Sequence, residues 1–124
     1  MKQIVRYIEL KGSEHTDMDE AWIARAWLSA SGKTIYFNDM ALKRSQGTDS
    51  NHINIETGDP YWISGIKKSG TNRHWGGSIY IEESLLSWYK EHTNGKCPAE
   101  LIIKPDLPKP AIKRFHELEN ENFG

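Results

Sequence analysis

The stretch that decides the fold is Trp22-Ile23-Ala24-Arg25-Ala26-Trp27-Leu28-Ser29. The two-residue period of a strand places four apolar side chains on one face, namely Trp22, Ala24, Ala26 and Leu28. Alanine, arginine and leucine also favour helix. A turn sequence at residues 30–33 follows, however, and Thr34-Ile35-Tyr36-Phe37 beyond it is β-branched and aromatic. The stretch therefore predicts the first arm of a β-hairpin.

Short strand patterns continue on both sides of this hairpin. They lie at residues 2–10, 41–44, 52–56, 61–67 and 78–81. Gly65 falls inside one of them and predicts a bulge or a close approach of the backbone. Short strands with a turn signal every ~8–12 residues are typical of small antiparallel sheets and barrels. We therefore predict a mainly β (α+β) fold, a small antiparallel β-barrel or curled sheet, with the SH3-like barrel as one candidate.

One helix is predicted near residues 83–93. Acidic residues open it, where negative charge suits the helix dipole, and Gly95 is a suitable C-terminal stop. Between them, apolar and aromatic side chains at i, i+3, i+4 and i+7 form one face, comprising Leu85, Trp88, Tyr89 and His92.

The chain changes character after this helix, because four of its five prolines fall at residues 98–110. We interpret residues 1–95 as a single β-rich domain and residues 96–124 as a Pro-containing C-terminal appendage that is not an independent domain. Within the appendage, residues 101–103 predict a short edge strand, and the apolar spacing around Phe115 predicts a short terminal helix.

Composition excludes several classes of protein. A chain of 124 residues makes one domain. Sixteen Lys+Arg against seventeen Asp+Glu give a net charge of −1, which argues against bulk electrostatic capture of nucleic acid or an anionic membrane. One Cys cannot form an internal disulfide. The N-terminal residues lack the unbroken apolar core of a signal peptide. We therefore expect a cytoplasmic protein with no membrane partner.

No assembled catalytic or metal-binding motif is present in the sequence. The five His are dispersed, with no pair at i, i+4, and the lone Cys97 excludes a cysteine-rich zinc site. The acidic residues Asp17, Asp19 and Glu20 lack the pattern of a calcium loop and are interpreted as solvated charge. Neither G-x-S-x-G nor a glycine-rich phosphate loop occurs. We therefore predict no catalytic residue, no metal and no cofactor.

The candidate contact surface is a basic and aromatic segment, residues 61–75, which contains no acidic residue. A hairpin here would place cations beside tryptophan faces, as suits a protein or a nucleic acid partner. Its candidate binding residues are Tyr61, Trp62, Lys67, Lys68, Arg73, His74 and Trp75. The alternative is structural, with Trp62 and Trp75 in the core and the Lys pair as a solubilising turn.

The remaining tryptophans are interpreted separately. Trp27 lies opposite the apolar face of its strand, so we expect its side chain at the surface, where a tryptophan often marks a contact. Trp22 and Trp88 are expected to pack in the core.

Together these observations favour a non-enzymatic binding or interaction module. One alternative is a small hydrolase or transferase in which His74 acts as general base, paired with Glu56 or Asp59. Another is a homo-oligomer whose Pro-containing tail docks on a neighbouring copy.

Two motifs carry a resemblance. They are Ser31-Gly32-Lys33-Thr34-Ile35-Tyr36-Phe37 and the stretch from Glu56-Thr57-Gly58 through Tyr61-Trp62 to Arg73-His74-Trp75. The chain resembles a group of small uncharacterised bacterial proteins with the core pattern ETGxxYWxSGxKKxGxxRHW. Over residues 20–92 the resemblance implies a single compact β-rich domain. It implies no activity and no catalytic residues.

Overall fold

The computed structural model of the chain describes residues 1–12, 20–47, 49–70, 78–97, 100–111 and 115. Its strands are β1 (Lys2–Leu10), β2 (Ala21–Leu28), β3 (Thr34–Phe37), β4 (Met40–Arg44), β5 (His52–Asn54), β6 (Pro60–Ser64), β7 (Ser78–Glu82) and β8 (Glu100–Lys104). A 3₁₀ turn, Glu83–Leu85, leads directly into helix α1, Leu86–His92. The predicted hairpin, the helix and the short strand at residues 101–103 are confirmed. The expectation that Trp88 packs in the core is wrong, because its side chain is 39% exposed and stacks on His92 at the surface of the helix.

Six strands close into an antiparallel barrel in the order β1-β6-β5-β4-β3-β2, because β2 also pairs with β1. The β1–β2 ladder is the longest and runs from Lys2↔Leu28 to Glu9↔Ala21. Strands β7 and β8 lie outside the barrel and continue the sheet from β2 in parallel. The fold is mainly β, as predicted. The narrower SH3-like assignment stays a prediction.

Strand β2 divides one of its edges between two neighbours. Its C-terminal end pairs with β3, and its N-terminal end pairs with β7. Arg25 lies at this fork, where its backbone N–H donates to the carboxylate of Glu82, the last residue of β7. A buried side chain therefore supplies the acceptor that a strand carbonyl supplies elsewhere in the sheet.

The barrel interior is filled by the inward-facing side chains of its strands. The face predicted for β2 is confirmed, because its apolar side chains pack there. The cluster comprises Ile4, Ile8, Trp22, Ala24, Ala26, Ile35, Phe37, Leu42, Tyr61 and Ile63, with Leu28 packed against it. Burying one such large apolar side chain contributes about 1.5–3 kcal/mol, so this interior dominates the stability of the fold.

A second apolar cluster lies between the outer face of β1–β2 and the elements that cover it, β7, the 3₁₀ turn and α1. It comprises Tyr7, Ala21, Ile23, Ile79, Ile81, Leu85 and Tyr89. The barrel is therefore covered on this side, which explains why β2 is buried on both of its faces.

The prediction for Trp27 is wrong. Its side chain does point away from the barrel interior, but it is only 7% exposed. It packs in a third cluster with Tyr36, Ala41 and Phe115. Phe115, from the C-terminal part of the chain, lies against the outer face of the barrel at this point.

Strand β6 is shorter than predicted, since it ends at Ser64. Gly65 follows the strand instead of bulging it. The chain leaves the sheet here because Ile66 packs into the second cluster and its carbonyl oxygen accepts a hydrogen bond from His92 Nε2 at 2.8 Å. Downstream, Leu107 packs against the barrel interior. The predicted terminal helix, apart from Phe115, lies outside the described residues.

Candidate functional site

The structure describes four of the seven predicted contact residues, Tyr61, Trp62, Lys67 and Lys68. Arg73, His74 and Trp75 lie outside the described residues, as does the second arm of the predicted hairpin. The contact surface as a whole stays a prediction.

Tyr61 and Trp62 do not share a surface. Neighbouring residues of a strand point to opposite faces, and here Tyr61 points into the barrel, where it is 9% exposed, whereas Trp62 points outward and is 39% exposed. Only Trp62 can therefore contact a partner on the outside of the barrel. Tyr61 belongs to a different site at the barrel mouth.

The strand that carries Trp62 is held on both edges. On one edge Trp62 pairs with Glu9 of β1. On the other, the side chain of Asn51 replaces a strand, because its Nδ2 donates to the Ile63 carbonyl and its Oδ1 accepts from the Ile63 N–H, both at 2.8 Å. The backbone under Trp62 is therefore held by hydrogen bonds on both edges.

His52 supports the same arrangement from inside the barrel. Its Nδ1 lies 2.8 Å from Asn51 Oδ1, and since that oxygen only accepts hydrogen bonds, Nδ1 carries the proton of the neutral ring. Burial, together with the nearby charge of Arg44, lowers the pKa of His52 to about 4. His52 is therefore a neutral structural donor near pH 7.

Trp62 lies beside two further apolar side chains. Ile53 of β5, which is 37% exposed, pairs with Pro60. Pro60 is two residues before Trp62 and so shares its side of the strand. We call Ile53, Pro60 and Trp62 the Trp62 face. Exposed apolar side chains that lie together, here Ile53 and Trp62 beside the half-buried Pro60, are typical of contact sites.

Lys67 and Lys68 are exposed in a turn that is anchored at both ends. Before them, Ile66 is bonded to His92 of α1. After them, the Gly70 N–H donates to the Lys67 carbonyl at 3.0 Å. Gly70 has φ +74°, and a Cβ there would lie 2.1 Å from the Lys96 carbonyl oxygen. Only glycine fits this contact, which holds the basic turn against the segment after α1.

The site that the sequence analysis missed is a pocket of about 130 Å³ at one mouth of the barrel. Its walls are formed by Trp22, Phe37, Met40 and Tyr61, and its rim by Glu20 and Asn38. These side chains come from the ends of separate strands and meet only when the barrel closes. Alternation places Trp22 inside, but no local spacing joins it to Phe37 or Tyr61.

The pocket walls are well ordered by their own contacts. The rings of Trp22 and Phe37 meet edge to face, with centroids 5.9 Å apart, and the Tyr61 hydroxyl donates to Met40 Sδ at 3.4 Å. The two-residue turn Asn38–Asp39, with φ values of 48° and 57°, brings Asn38 to the rim. The pocket is therefore preformed.

The rim carries negative charge. Glu20 is exposed, and its Oε1 accepts the indole N–H of Trp22, which orients the carboxylate. An open groove with Asp49, Asp59 and Lys11 adjoins the pocket through Leu10, which lines both. Lys11 is already paired with Glu9 at 2.9 Å. Burial, and then the charges of Asp59 and Glu20, raise the pKa of Tyr61 to about 12.

The residues of the alternative enzymatic site are only partly described. Glu56 and Asp59 lie exposed in the turn between β5 and β6, and Asp59 accepts from Thr57 Oγ1 at 2.9 Å. His74 lies outside the described residues, so its pairing stays a prediction. Among the described residues, no three His, Cys, Asp or Glu side chains are grouped to hold a metal ion.

No known protein family, curated protein or solved structure matches this chain. Within the described part of the chain, no helix is both long enough and apolar enough to cross a membrane. The arguments for function therefore rest on the geometry of the two sites.

Proposed function

We propose that the chain is a non-enzymatic binding module that recognises another protein through the Trp62 face and the adjoining Lys67–Lys68 turn. The observation that carries the proposal is Trp62 itself. Its indole is 39% exposed on a strand whose backbone is paired on both edges. A large rigid side chain presented in this way loses little conformational entropy on binding.

The two parts of the surface lie close enough to act together. Lys67 is five positions after Trp62, and an extended chain spans at most about 17 Å over that length. A standard interface covers about 800 Å² on each partner, which is wide enough for both. The partner side that fits them carries an apolar or aromatic side chain for Trp62 and an acidic group for the two lysines.

A protein partner is favoured over a nucleic acid. The described neighbours of Trp62 include the apolar Ile53 and Pro60 and also Glu9, whose carboxylate is paired with Lys11, so the charges beside the ring offset each other. Phosphate contacts supply most of the affinity in nucleic acid binding. The two exposed lysines alone supply few such contacts.

Selection of peptides from a displayed library on the immobilised chain tests the proposal. We expect enriched peptides to combine an apolar or aromatic residue with Asp or Glu. Binding of a selected peptide should fall at least about tenfold, or about 1.4 kcal/mol, in Trp62→Ala and in the double variant Lys67→Glu/Lys68→Glu. A single-stranded oligonucleotide, titrated in parallel, should bind weakly and should not respond to Trp62→Ala.

Ile103→Ser is the matched control, since Ile103 is an exposed apolar side chain, 51% exposed, on strand β8 at the outer edge of the sheet. This variant should bind like the wild type. Equal losses in Ile103→Ser and Trp62→Ala would show nonspecific adhesion and overturn the proposal. Oligonucleotide binding that depends on Trp62 would replace the protein partner with a nucleic acid.

A further inference from the structure

The barrel-mouth pocket combines aromatic walls with an anionic rim. Trp22, Phe37 and Tyr61 supply three rings, and Glu20 supplies a carboxylate that the Trp22 indole N–H holds in place. The face of an aromatic ring attracts cations through its quadrupole. Rings and carboxylate therefore favour the same charge on a ligand. The rings come from β2, β3 and β6, and Tyr61 points to the opposite face of β6 from Trp62.

The charge around the mouth strengthens this preference. The adjoining groove adds Asp49 and Asp59 to Glu20. Lys11 is the one cation among the described residues that line the two depressions, and its ion pair with Glu9 offsets its charge. Burial is the main cause of the raised pKa of Tyr61, and the charges of Asp59 and Glu20 add to it. An anionic ligand would be repelled at this end of the barrel, and a neutral one would gain nothing from the carboxylates.

Size and hydration narrow the class of cation. The pocket volume is about 130 Å³, close to that of a dry cavity of ~150 Å³ that holds benzene. A bare ammonium is compact and strongly hydrated, and the ring and thioether walls of the pocket give little in return for that lost water. An alkylated ammonium carries its charge inside methyl groups, which pack against Met40 and the rings.

We propose that the barrel-mouth pocket binds an alkylated ammonium group, with the trimethylammonium group as the best fit. The group sits against Trp22, Phe37 and Tyr61, and Glu20 supplies the counter-charge. Two sources carry this chemistry, a free small molecule of the choline type and a methylated lysine side chain of a peptide. The proposal does not depend on the Trp62 face, which lies on the outside of the barrel.

Titration of the full chain with choline chloride, followed by the NMR signal of the Trp22 indole N–H, tests the proposal. The neutral isostere 3,3-dimethylbutan-1-ol has the same shape without the charge, and sodium chloride at equal ionic strength is the reference. We expect choline to shift the signal saturably and the isostere to bind at least about tenfold weaker. Equal affinities would show a simple apolar pocket and overturn the proposal, as would the absence of a shift at millimolar choline.

The carboxylate is tested by Glu20→Gln, which keeps an oxygen for the Trp22 N–H and removes the charge. Affinity for choline should fall about three- to tenfold. Glu83→Gln makes the same charge change in the exposed 3₁₀ turn, away from the pocket residues, and should leave binding unchanged. Equal losses in both variants would assign the effect to the overall charge and overturn the role of Glu20.

Titration with peptides distinguishes a free small molecule from a methylated lysine side chain as the ligand. Peptides that contain trimethyllysine or unmodified lysine in the same sequence are titrated beside choline. Tighter binding of the trimethyllysine peptide than of choline indicates a side-chain ligand, and the reverse order indicates a free small molecule. Trp62→Ala should leave choline binding intact, so a failure of this proposal and a failure of the binding surface at Trp62 give different results.

Discussion

Trp27 on β2 and Trp62 on β6 make a natural comparison, because both point outward from the barrel wall. Trp27 is 7% exposed and Trp62 is 39% exposed. Trp27 is covered by a cluster that includes Phe115 and by the guanidinium of Arg25, which lies 5.8 Å from the centroid of its ring. Strand alternation therefore determines the face on which a side chain lies, and a segment far away in the sequence determines whether that face meets solvent.

The two regions share one structural device, a side chain that replaces a strand. Beneath Trp62, the amide of Asn51 bonds both the N–H and the carbonyl of Ile63. The backbone of Leu107 is bonded in the same way by two side chains of the β2–β7 junction. Glu82 accepts the Leu107 N–H at 2.7 Å, and Arg25 donates to the Leu107 carbonyl at 2.9 Å. The first pairing holds the strand that carries the exposed Trp62, whereas the second holds Leu107 against the sheet.

The largest effect should follow from Glu82→Gln. Glu82 is 0% exposed and accepts from the Arg25 backbone, the Arg25 guanidinium at 3.0 Å and Leu107. A carboxamide turns one acceptor into a donor that faces the N–H groups of Arg25 and Leu107, and it leaves the half-buried Arg25 guanidinium with the more distant Asp106, at 3.7 Å, as its carboxylate partner. We expect the free energy of unfolding to fall by about 3–5 kcal/mol in urea titrations.

The neighbouring Glu83 is exposed, so Glu83→Gln is the matched control and should change stability by less than about 0.5 kcal/mol. Equal effects of the two variants would show that the junction of β2 with β3 and β7 does not depend on the Glu82 carboxylate.

The next effect should follow from Phe115→Ala, which removes the ring that covers Trp27. Phe115 is 0% exposed and lies 5.7 Å from Tyr36, centroid to centroid. Deletion of a buried phenylalanine ring costs about 3 kcal/mol or more. We expect that loss in urea titrations, together with greater quenching of tryptophan fluorescence by acrylamide. The increase in quenching should disappear in a Trp27→Phe background, and if it persists, the newly exposed ring is not Trp27.

The comparison also explains which parts of the molecule the sequence predicts. Period-two alternation in residues 22–28 correctly predicted the interior face of β2, because that pattern is local. It could not predict the exposure of Trp27, since Phe115 is far away along the chain. Nor could it predict the mouth pocket, where Glu20, Phe37 and Tyr61 meet only through barrel closure. Predictions that lie on residues 71–77 stay untested.

The dependence of stability on pH should show the contribution of His52, whose buried side chain lies behind the strands that carry the Trp62 face. Its pKa falls from 6.5 to about 4 on folding, so between these values the unfolded chain binds more protons than the folded one. Stability therefore decreases as pH falls from about 6.5 to about 4, by up to about 3 kcal/mol. The difference in free energy of unfolding between the wild type and His52→Gln, measured by urea titration over this pH range, gives the contribution of the histidine. Parallel curves for the two proteins would contradict the assignment.

The smallest effect should follow from Trp62→Ala. Its ring is partly exposed and belongs to none of the apolar clusters formed by the described residues, so we expect the free energy of unfolding to change by less than about 1 kcal/mol. Trp27→Ala makes the same chemical change on the covered face and should cost about 3–5 kcal/mol. The two values, measured side by side in urea, separate a tryptophan that stabilises the fold from one that the fold leaves available. Similar losses would mean that the indole of Trp62 stabilises the barrel, and its exposure would then give no reason to place a partner there.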